Sequence, residues 1–498
     1  MANIFNSVKM TRPGKNVFDL THDVKMSLNM GNLCPTLCME VVPGDKVKLS
    51  CESLIRFAPL VSPVMHRMDV YMHYFFVPNR IIWQNWEQFI TNSDTDNTPA
   101  FPFVVMNSTK LSKLANYLGI PIPPTLSGSE NVSALPFAAY LKIYNEYYRD
   151  QNLIVELNTD LSDGDNSANT SLYELRKRAW EHDYFTSSLP FAQKGAAVSI
   201  PVGDFTDVPV YINNPVGTVL QGVGLQQNQT IQGDPSPDFP LNNGQIYADT
   251  SSMTDTSTTI NDLRRAFRLQ EWLEKAARGG SRYVENILAH FGVKSSDKRL
   301  QRPEYITGSK SPVVISEVLN TTGTAEAAQG TMAGHGLAIA AGSGGSYYCE
   351  EHGYIIGIMS VMPKTCYQQG IPKHFLKLND PFQYFWPSFA NIGEQEVLNR
   401  EIFAYDGNGS ATFGYVPRYA EYKYMSSRVA GDFTNSLDFW HMGRIFANQP
   451  ELNEEFITSD PTYRIFAVED PTVDHLYSHV LHKISAVRSM PKYGNPSF

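Results

Sequence analysis

Between Val47 and Phe76 the chain runs through two stretches of apolar–polar alternation with the period of a β-strand. In the first, Val47, Leu49, Cys51, Ser53, Ile55 and Phe57 fall on one face, with Lys48, Ser50, Glu52 and Arg56 on the other. In the second, Met68, Val70, Met72, Tyr74 and Phe76 alternate with Arg67, Asp69, Tyr71 and His73 until Pro78. Period-two alternation of this length puts one face of each strand in a core. The corner between them, bounded by Pro59 and Pro63, suits strands that pass from one sheet to another. Pro43-Gly44-Asp45 is a turn, and the arm before it, residues 1–42, shows no sustained period and reads as extended.

Helical spacing then interrupts the strands. Ile82, Trp86, Phe89 and Ile90 repeat at that spacing, as do Leu111, Leu114 and Leu118, then Phe137, Leu141, Tyr144 and Tyr148, and finally Tyr173, Arg176 and Trp180. These read as insertions packed on the outside or ends of a β framework. Thr259-x-x-Asp262 resembles a capping box ahead of an apolar stripe of Leu263, Ala266, Phe267, Leu273 and Ala277, and Gly279-Gly280 stops that helix. Ser281 is placed to cap a second helix, with Val284, Ile287, Leu288 and Phe291 on one face, that ends at Gly292. Later strands are expected over residues 312–319, 354–362 (continuously apolar, hence buried on both faces) and 475–487. Gly- and Ala-rich loops such as residues 330–345 lie between them. About eight widely spaced strands with helical excursions and no internal repeat point to a mainly β, two-sheet antiparallel sandwich of jelly-roll type.

The composition suits a globular chain that shares its surface. Hydrophobic residues make up 42% and aromatics 12%, while charged residues reach only 18%, against about 25% in an average domain. The net charge of −10 argues against a protein that coats nucleic acid unaided. No signal peptide opens the chain and no apolar run reaches membrane-spanning length. Five cysteines are sparse and odd in number, as expected for buried free thiols in a reducing compartment.

Catalytic and metal motifs fail one by one. Gly342-Ser343-Gly344-Gly345 lacks the lysine and following helix of a phosphate loop. Cys34-x-x-x-Cys38 has no second pair at metal spacing. In a strand, His475 and His479 share a face that His482 opposes, so the three do not converge. Neither His335 nor His352 has a nucleophile motif beside it, and Glu350-Glu351 and Glu454-Glu455 read as solvated pairs. No catalytic residue, metal site or cofactor is expected. A β-sandwich carbohydrate-active enzyme or carbohydrate-binding protein remains the alternative, because its carboxylates can be dispersed along the chain.

From Gly195 to Leu263 there is no Lys or Arg, but there are seven Asp residues and many Asn, Gln, Gly, Pro, Ser and Thr. Such a stretch buries too little apolar area to offset its own ordering entropy. The ends of the chain have the opposite sign: Lys9, Arg12 and Lys15 at one, Lys483, Arg488 and Lys492 at the other, with no acid among them.

Several long blocks carry a resemblance. Residues 51–89 (CESLIRFAPLVSPVMHRMDVYMHYFFVPNRIIWQNWEQF), 183–195 (DYFTSSLPFAQKG), 263–300, 302–318, 357–373 (GIMSVMPKTCYQQGIPK) and 415–432 (YVPRYAEYKYMSSRVAGD) resemble the major capsid proteins of microviruses, small single-stranded DNA bacteriophages, and of their gokushovirus branch in particular. The resemblance implies one domain over residues 1–498, an eight-stranded jelly roll with large loop and helical insertions. It further implies sixty copies in a T=1 icosahedral virion shell around circular single-stranded DNA, assembled in the bacterial cytoplasm, with a small basic DNA-binding virion protein as partner. By position between the blocks, residues 204–258 correspond to the insertion that forms a three-fold protrusion in such proteins. Asp234, Asp238, Asn242, Asn243 and Asp249 are its candidate contacts to a bacterial surface receptor. Charge and neighbouring aromatics, rather than any family motif, single out Lys9, Arg12, Lys15, Arg488, Lys492 and Tyr493, the last three in the basic strand and tail 475–498, as candidate DNA contacts. Trp83, Trp86, Tyr384, Trp386 and Phe389 are candidate core or intersubunit anchors.

Overall fold

A computed structural model of the protein describes residues 13–93, 98–107, 112–122, 128–196, 198, 210–212, 246–248, 260–319, 332–342 and 344–493. The chain divides into two compact units, one formed by residues 193–278 and the other by the remainder. In the larger unit eleven strands form two antiparallel sheets. In chain order they are β1 (Asn16–Asp19), β2 (His22–Leu28), β3 (Cys34–Val41), β4 (Lys46–Phe57), β5 (Met68–Pro78), β6 (Glu304–Pro312), β7 (Val314–Leu319), β8 (Met332–Ala341), β9 (Gly345–Tyr348), β10 (Gly353–Pro363) and β11 (Leu476–Arg488). The seven-stranded sheet runs β1–β11–β4–β8–β7, with β2 also on β11 and β9 also on β4. The four-stranded sheet runs β6–β5–β10–β3. The chain is thus a mainly β sandwich, as its patterning requires. Strands outnumber the eight expected because two are interrupted and one is added: β1 and β2 pair successive stretches of β11, β8 and β9 successive stretches of β4, and β7 adds an edge on β8.

The alternation in β4 holds residue for residue, with Val47, Leu49, Cys51, Ile55 and Phe57 buried and Lys46, Lys48, Glu52 and Arg56 exposed. These apolar side chains meet Val70, Met72, Tyr74 and Phe76 of β5 and Val480 and Ile484 of β11 in the core between the sheets. β5 buries its second face as well, because a helical layer covers it: Phe75 and Val77 pack with Ile356 and Ile358 of β10 against Trp83, Phe137 and Tyr140. That layer includes α1 (Trp86–Thr91), α2 (Lys113–Tyr117) and α3 (Leu135–Ile143), which continues as a wider turn through Tyr148. It accounts for the unbroken apolar run of β10, whose alternate residues Ile355, Met359 and Val361 face the inter-sheet core instead.

Four segments go beyond or against the sequence pattern, for identifiable reasons. The Gly- and Ala-rich segment expected as a loop contains strand β8. Its residues are small because neighbours crowd it: a Cβ on Gly334 would lie 2.2 Å from the Ser62 carbonyl oxygen, and one on Gly336 would lie 2.6 Å from the Phe57 ring. Residues 16–41 of the extended arm are strands of both sheets; β3, buried on both faces at its start, leaves no alternation to read. β6, polar and edge-lying, was not expected over residues 304–311. The stripe Tyr173, Arg176, Trp180 is no helix: one turn at Thr170–Tyr173 is followed by extended chain bridging Asn32 and Thr458.

Beyond the acidic stretch lie α4 (Ile260–Gly279) and α5 (Tyr283–Phe291), close to the expected bounds. Gly292, at φ 68°, ends α5, while its N-cap is Arg282 rather than Ser281. Thr259 of the capping box lies outside the described residues. On α4, Glu271 pairs with Arg268 at 2.6 Å and Lys275 at 3.0 Å, the local stabilisation a charged surface helix uses.

Candidate interaction surfaces

Strand pairing brings the two ends of the described chain to one corner of the seven-stranded sheet. β1 lies on the end of β11 with Asn16 opposite Arg488, and Asn16 Nδ2 donates to the Met490 carbonyl at 2.7 Å. Lys15 just before this pair, and Lys492 and Tyr493 just after it, are exposed. Lys9 and Arg12 lie outside the described residues. On the other flank of β11, β4 sets Lys46 beside Val487 and Lys48 beside Ser485. Both lysines are exposed and form no ion pair among the described residues. The sequence had put Lys48 on the outer face but gave no sign that 40-odd and 480-odd residues adjoin; only the register supplies that.

Arg488 differs from its basic neighbours. Its Nε lies 2.9 Å from Oδ2 of Asp45, whose side chain is 1% exposed, and its Nη2 donates to the Glu40 carbonyl at 3.1 Å. Asp45 Oδ2 also accepts from the Val42 N–H at 3.2 Å, closing the turn between β3 and β4. Arg488 therefore fastens the end of the last strand to that turn.

The outer face of this sheet presents Lys46, Lys48, Glu52 and Arg56 from β4 and Tyr477, His479 and Lys483 from β11. Lys483 pairs with Glu52, and His479 lies 3.3 Å from Asp23. His482 points the other way and is fully buried, while His475, just before β11, packs against Tyr463 and Phe466 at ring distances of 4.7 and 4.6 Å. Among the described residues no group of three or more His, Cys, Asp or Glu is placed to hold a metal ion. All five cysteines are free thiols, and burial pushes Cys38 and Cys349 up to about 12. Glu350 and Glu351, expected to be solvated, pair with Lys298 and Arg80.

In the smaller unit, Val210–Ile212 and Ile246–Ala248 pair antiparallel, Tyr211 opposite Tyr247. The candidate receptor contacts Asp234, Asp238, Asn242, Asn243 and Asp249 lie outside the described residues. The aromatic candidates separate clearly. Trp83 is core, its indole N–H donating to Asp163 at 2.8 Å; Trp86 and Phe89 pack beside it. Tyr384 and Trp386 are half exposed.

A family model described as "Capsid protein (F protein)" matches residues 6–498. The chain belongs to that capsid protein family. Three phage capsid proteins, each named VP1, are similar along nearly their whole length. That of Chlamydia phage 1 is 34% identical over 100% of this chain and 98% of its own. That of Bdellovibrio phage phiMH2K is 36% identical over 99% and 97%, and that of Spiroplasma virus 4 is 32% identical over 99% and 97%. The similarity therefore reaches well beyond the blocks that first carried the resemblance, covering 99–100% of the chain. A capsid protein acts by self-assembly into the shell of a virion, so its working parts are surfaces. No helix among the described residues is long and apolar enough to cross a membrane.

Proposed function

We propose that this major capsid protein builds a T=1 shell of sixty copies around circular single-stranded DNA, assembling in the bacterial cytoplasm and catalysing no reaction. The observation that carries this reading is the capsid-family match over residues 6–498. The strand order supports its jelly-roll part: with the in-line pairs β1/β2 and β8/β9 merged and edge strand β7 set aside, β2, β11, β4 and β8 face β3, β10, β5 and β6, the order of an eight-stranded jelly roll. Function then arises from closure of many subunit contacts of modest strength. Sedimentation and electron microscopy of the purified chain test it. A uniform megadalton icosahedral particle is expected; a small soluble species under all assembly conditions rejects the reading.

At −10 per chain the shell repels its genome, so a small basic DNA-binding protein supplies most of the compensation. Direct contacts come from the basic termini: Lys9, Arg12, Lys15, Lys492 and Tyr493, with Lys46 and Lys48 beside them and Arg488 contributing only what its pairing with Asp45 leaves over. The acidic insertion, residues 204–258, faces outward at the three-fold axis, and its tip, with Asp234, Asp238, Asn242, Asn243 and Asp249, binds a bacterial surface receptor. Replacing residues 213–245 by a short Gly-Ser link should leave shells intact and abolish adsorption to the host. Undiminished adsorption would show that the insertion only locks subunits together.

A further inference from the structure

Residues 372–392 and 418–425 form an aromatic platform that the protomer builds but does not cover. Phe382 meets Phe389 edge to face at 5.2 Å, and Phe385 meets Tyr419 at 5.2 Å and Tyr422 at 6.4 Å. Beneath these rings lies Lys377, its Nζ 2.6 Å from Glu421 and 4.1 Å from the centre of the Tyr422 ring. The two charged side chains are 4% and 9% exposed, so the ion pair is an internal strut. Tyr419 holds a left-handed conformation, φ 60°, with its N–H donating to Gln395 Oε1 at 2.8 Å. A non-glycine residue keeps such a conformation only where its surroundings fix it. The platform is thus fixed in advance, which lowers the entropy cost of binding.

Its rings nevertheless face outward: Tyr384 is 52% exposed, and Phe385 and Trp386 are each 51% exposed. At about 150–250 Å² per aromatic residue, the uncovered side chains of these segments present on the order of 1,000 Å². That exceeds the roughly 300–600 Å² patch of a typical monomer and matches the ~800 Å² that one partner contributes to a standard interface. Of the nearby cations, Lys377 is paired with Glu421 and Lys373 with Glu401 at 3.0 Å, while Arg418 and Lys423 donate to the carbonyls of Phe382 at 3.0 Å and Arg418 at 2.9 Å. The exposed rings between these cations are apolar, which favours a protein partner of similar apolar character. We propose that a second copy of this chain covers the platform in the assembled shell, with Trp386 and Phe385 as the central anchors. The proposal rests on the shell-subunit reading above.

Hydroxyl-radical labelling of Tyr384, Phe385 and Trp386 tests it, in intact shells and in folded protomers released from them. Several-fold lower labelling in shells is expected, persisting in shells emptied of DNA. Equal labelling in both states overturns the proposal, as does protection that vanishes with the DNA or arises only on contact with host cells. The double variant Phe385→Asp, Trp386→Asp gives a second arm. Because both side chains are half exposed, the variant should keep the protomer's circular dichroism and melting profile yet sediment as a small species. Normal shell formation by that variant rejects the idea while leaving the subunit role intact. Absence of shells from the unmodified chain instead rejects the subunit role, and this proposal with it.

Discussion

Asp45→Ala should lower the unfolding free energy of the protomer by about 3 kcal/mol, the lower end of the roughly 3–5 kcal/mol lost when one partner of a buried ion pair is removed. The lower end applies because the Arg488 side chain is still 19% exposed and water can reach part of it. Two connections fail together: the charge that holds Arg488, and the acceptor for the Val42 N–H in the turn between β3 and β4. Asp45→Asn keeps an acceptor for Val42 and should lose less. Urea denaturation followed by tryptophan fluorescence gives the comparison; an unchanged midpoint for the alanine variant would show that the pair contributes nothing.

Acid should weaken the sandwich before it titrates most carboxylates. His482 sits between the sheets, Nε2–H donating to the Thr36 carbonyl at 3.0 Å and Nδ1 accepting from the Tyr74 hydroxyl at 2.9 Å. Burial, with the nearby His22 ring adding to it, pushes it down to about 4 from the usual 6.5. Burial also lowers His66 and His73 to about 4. The unfolded chain thus binds these protons at higher pH than the folded one, and unfolding takes up protons between pH 6.5 and 4. The stability due to neutral imidazoles is full above pH 6.5, falls through that window, and has been lost once pH drops below 4. For His482 alone the loss is about 3 kcal/mol, at roughly 1.4 kcal/mol per unit. Melting temperatures measured from pH 7 to 4 should fall accordingly, and His482→Gln, which keeps a donor and an acceptor, should flatten the slope. An identical slope in that variant would assign the acid sensitivity to other groups.

The sequence disclosed most where one residue type answers to one environment. β4 alternates because one face meets core and the other water. β10 is apolar throughout because a sheet and a helical layer enclose it. It was least informative where two causes give the same letters. Gly334 and Gly336 look like loop glycines but are strand residues kept small by Ser62 and Phe57. Trp83 and Trp386 belong to similar aromatic clusters, yet one lies in the core and the other at the surface. Arg488 looked like a free cation of a basic tail, because nothing in the order of residues reveals that Asp45, more than four hundred positions earlier, lies against it. The basic corner was half legible: the termini were visible as charge, but Lys46 and Lys48 join them only through the β4–β11 register.

The place of β11 also bears on when a subunit becomes usable. It pairs with β4 along one side and with β1 and β2 along the other, so a strand made more than four hundred residues after these neighbours is an inner strand of its sheet. Until Arg488 emerges, the two halves of that sheet have no common neighbour and the inter-sheet core lacks Val480 and Ile484. Pairing this distant in sequence forms late and slowly. A chain that stops before β11 therefore cannot complete the sandwich.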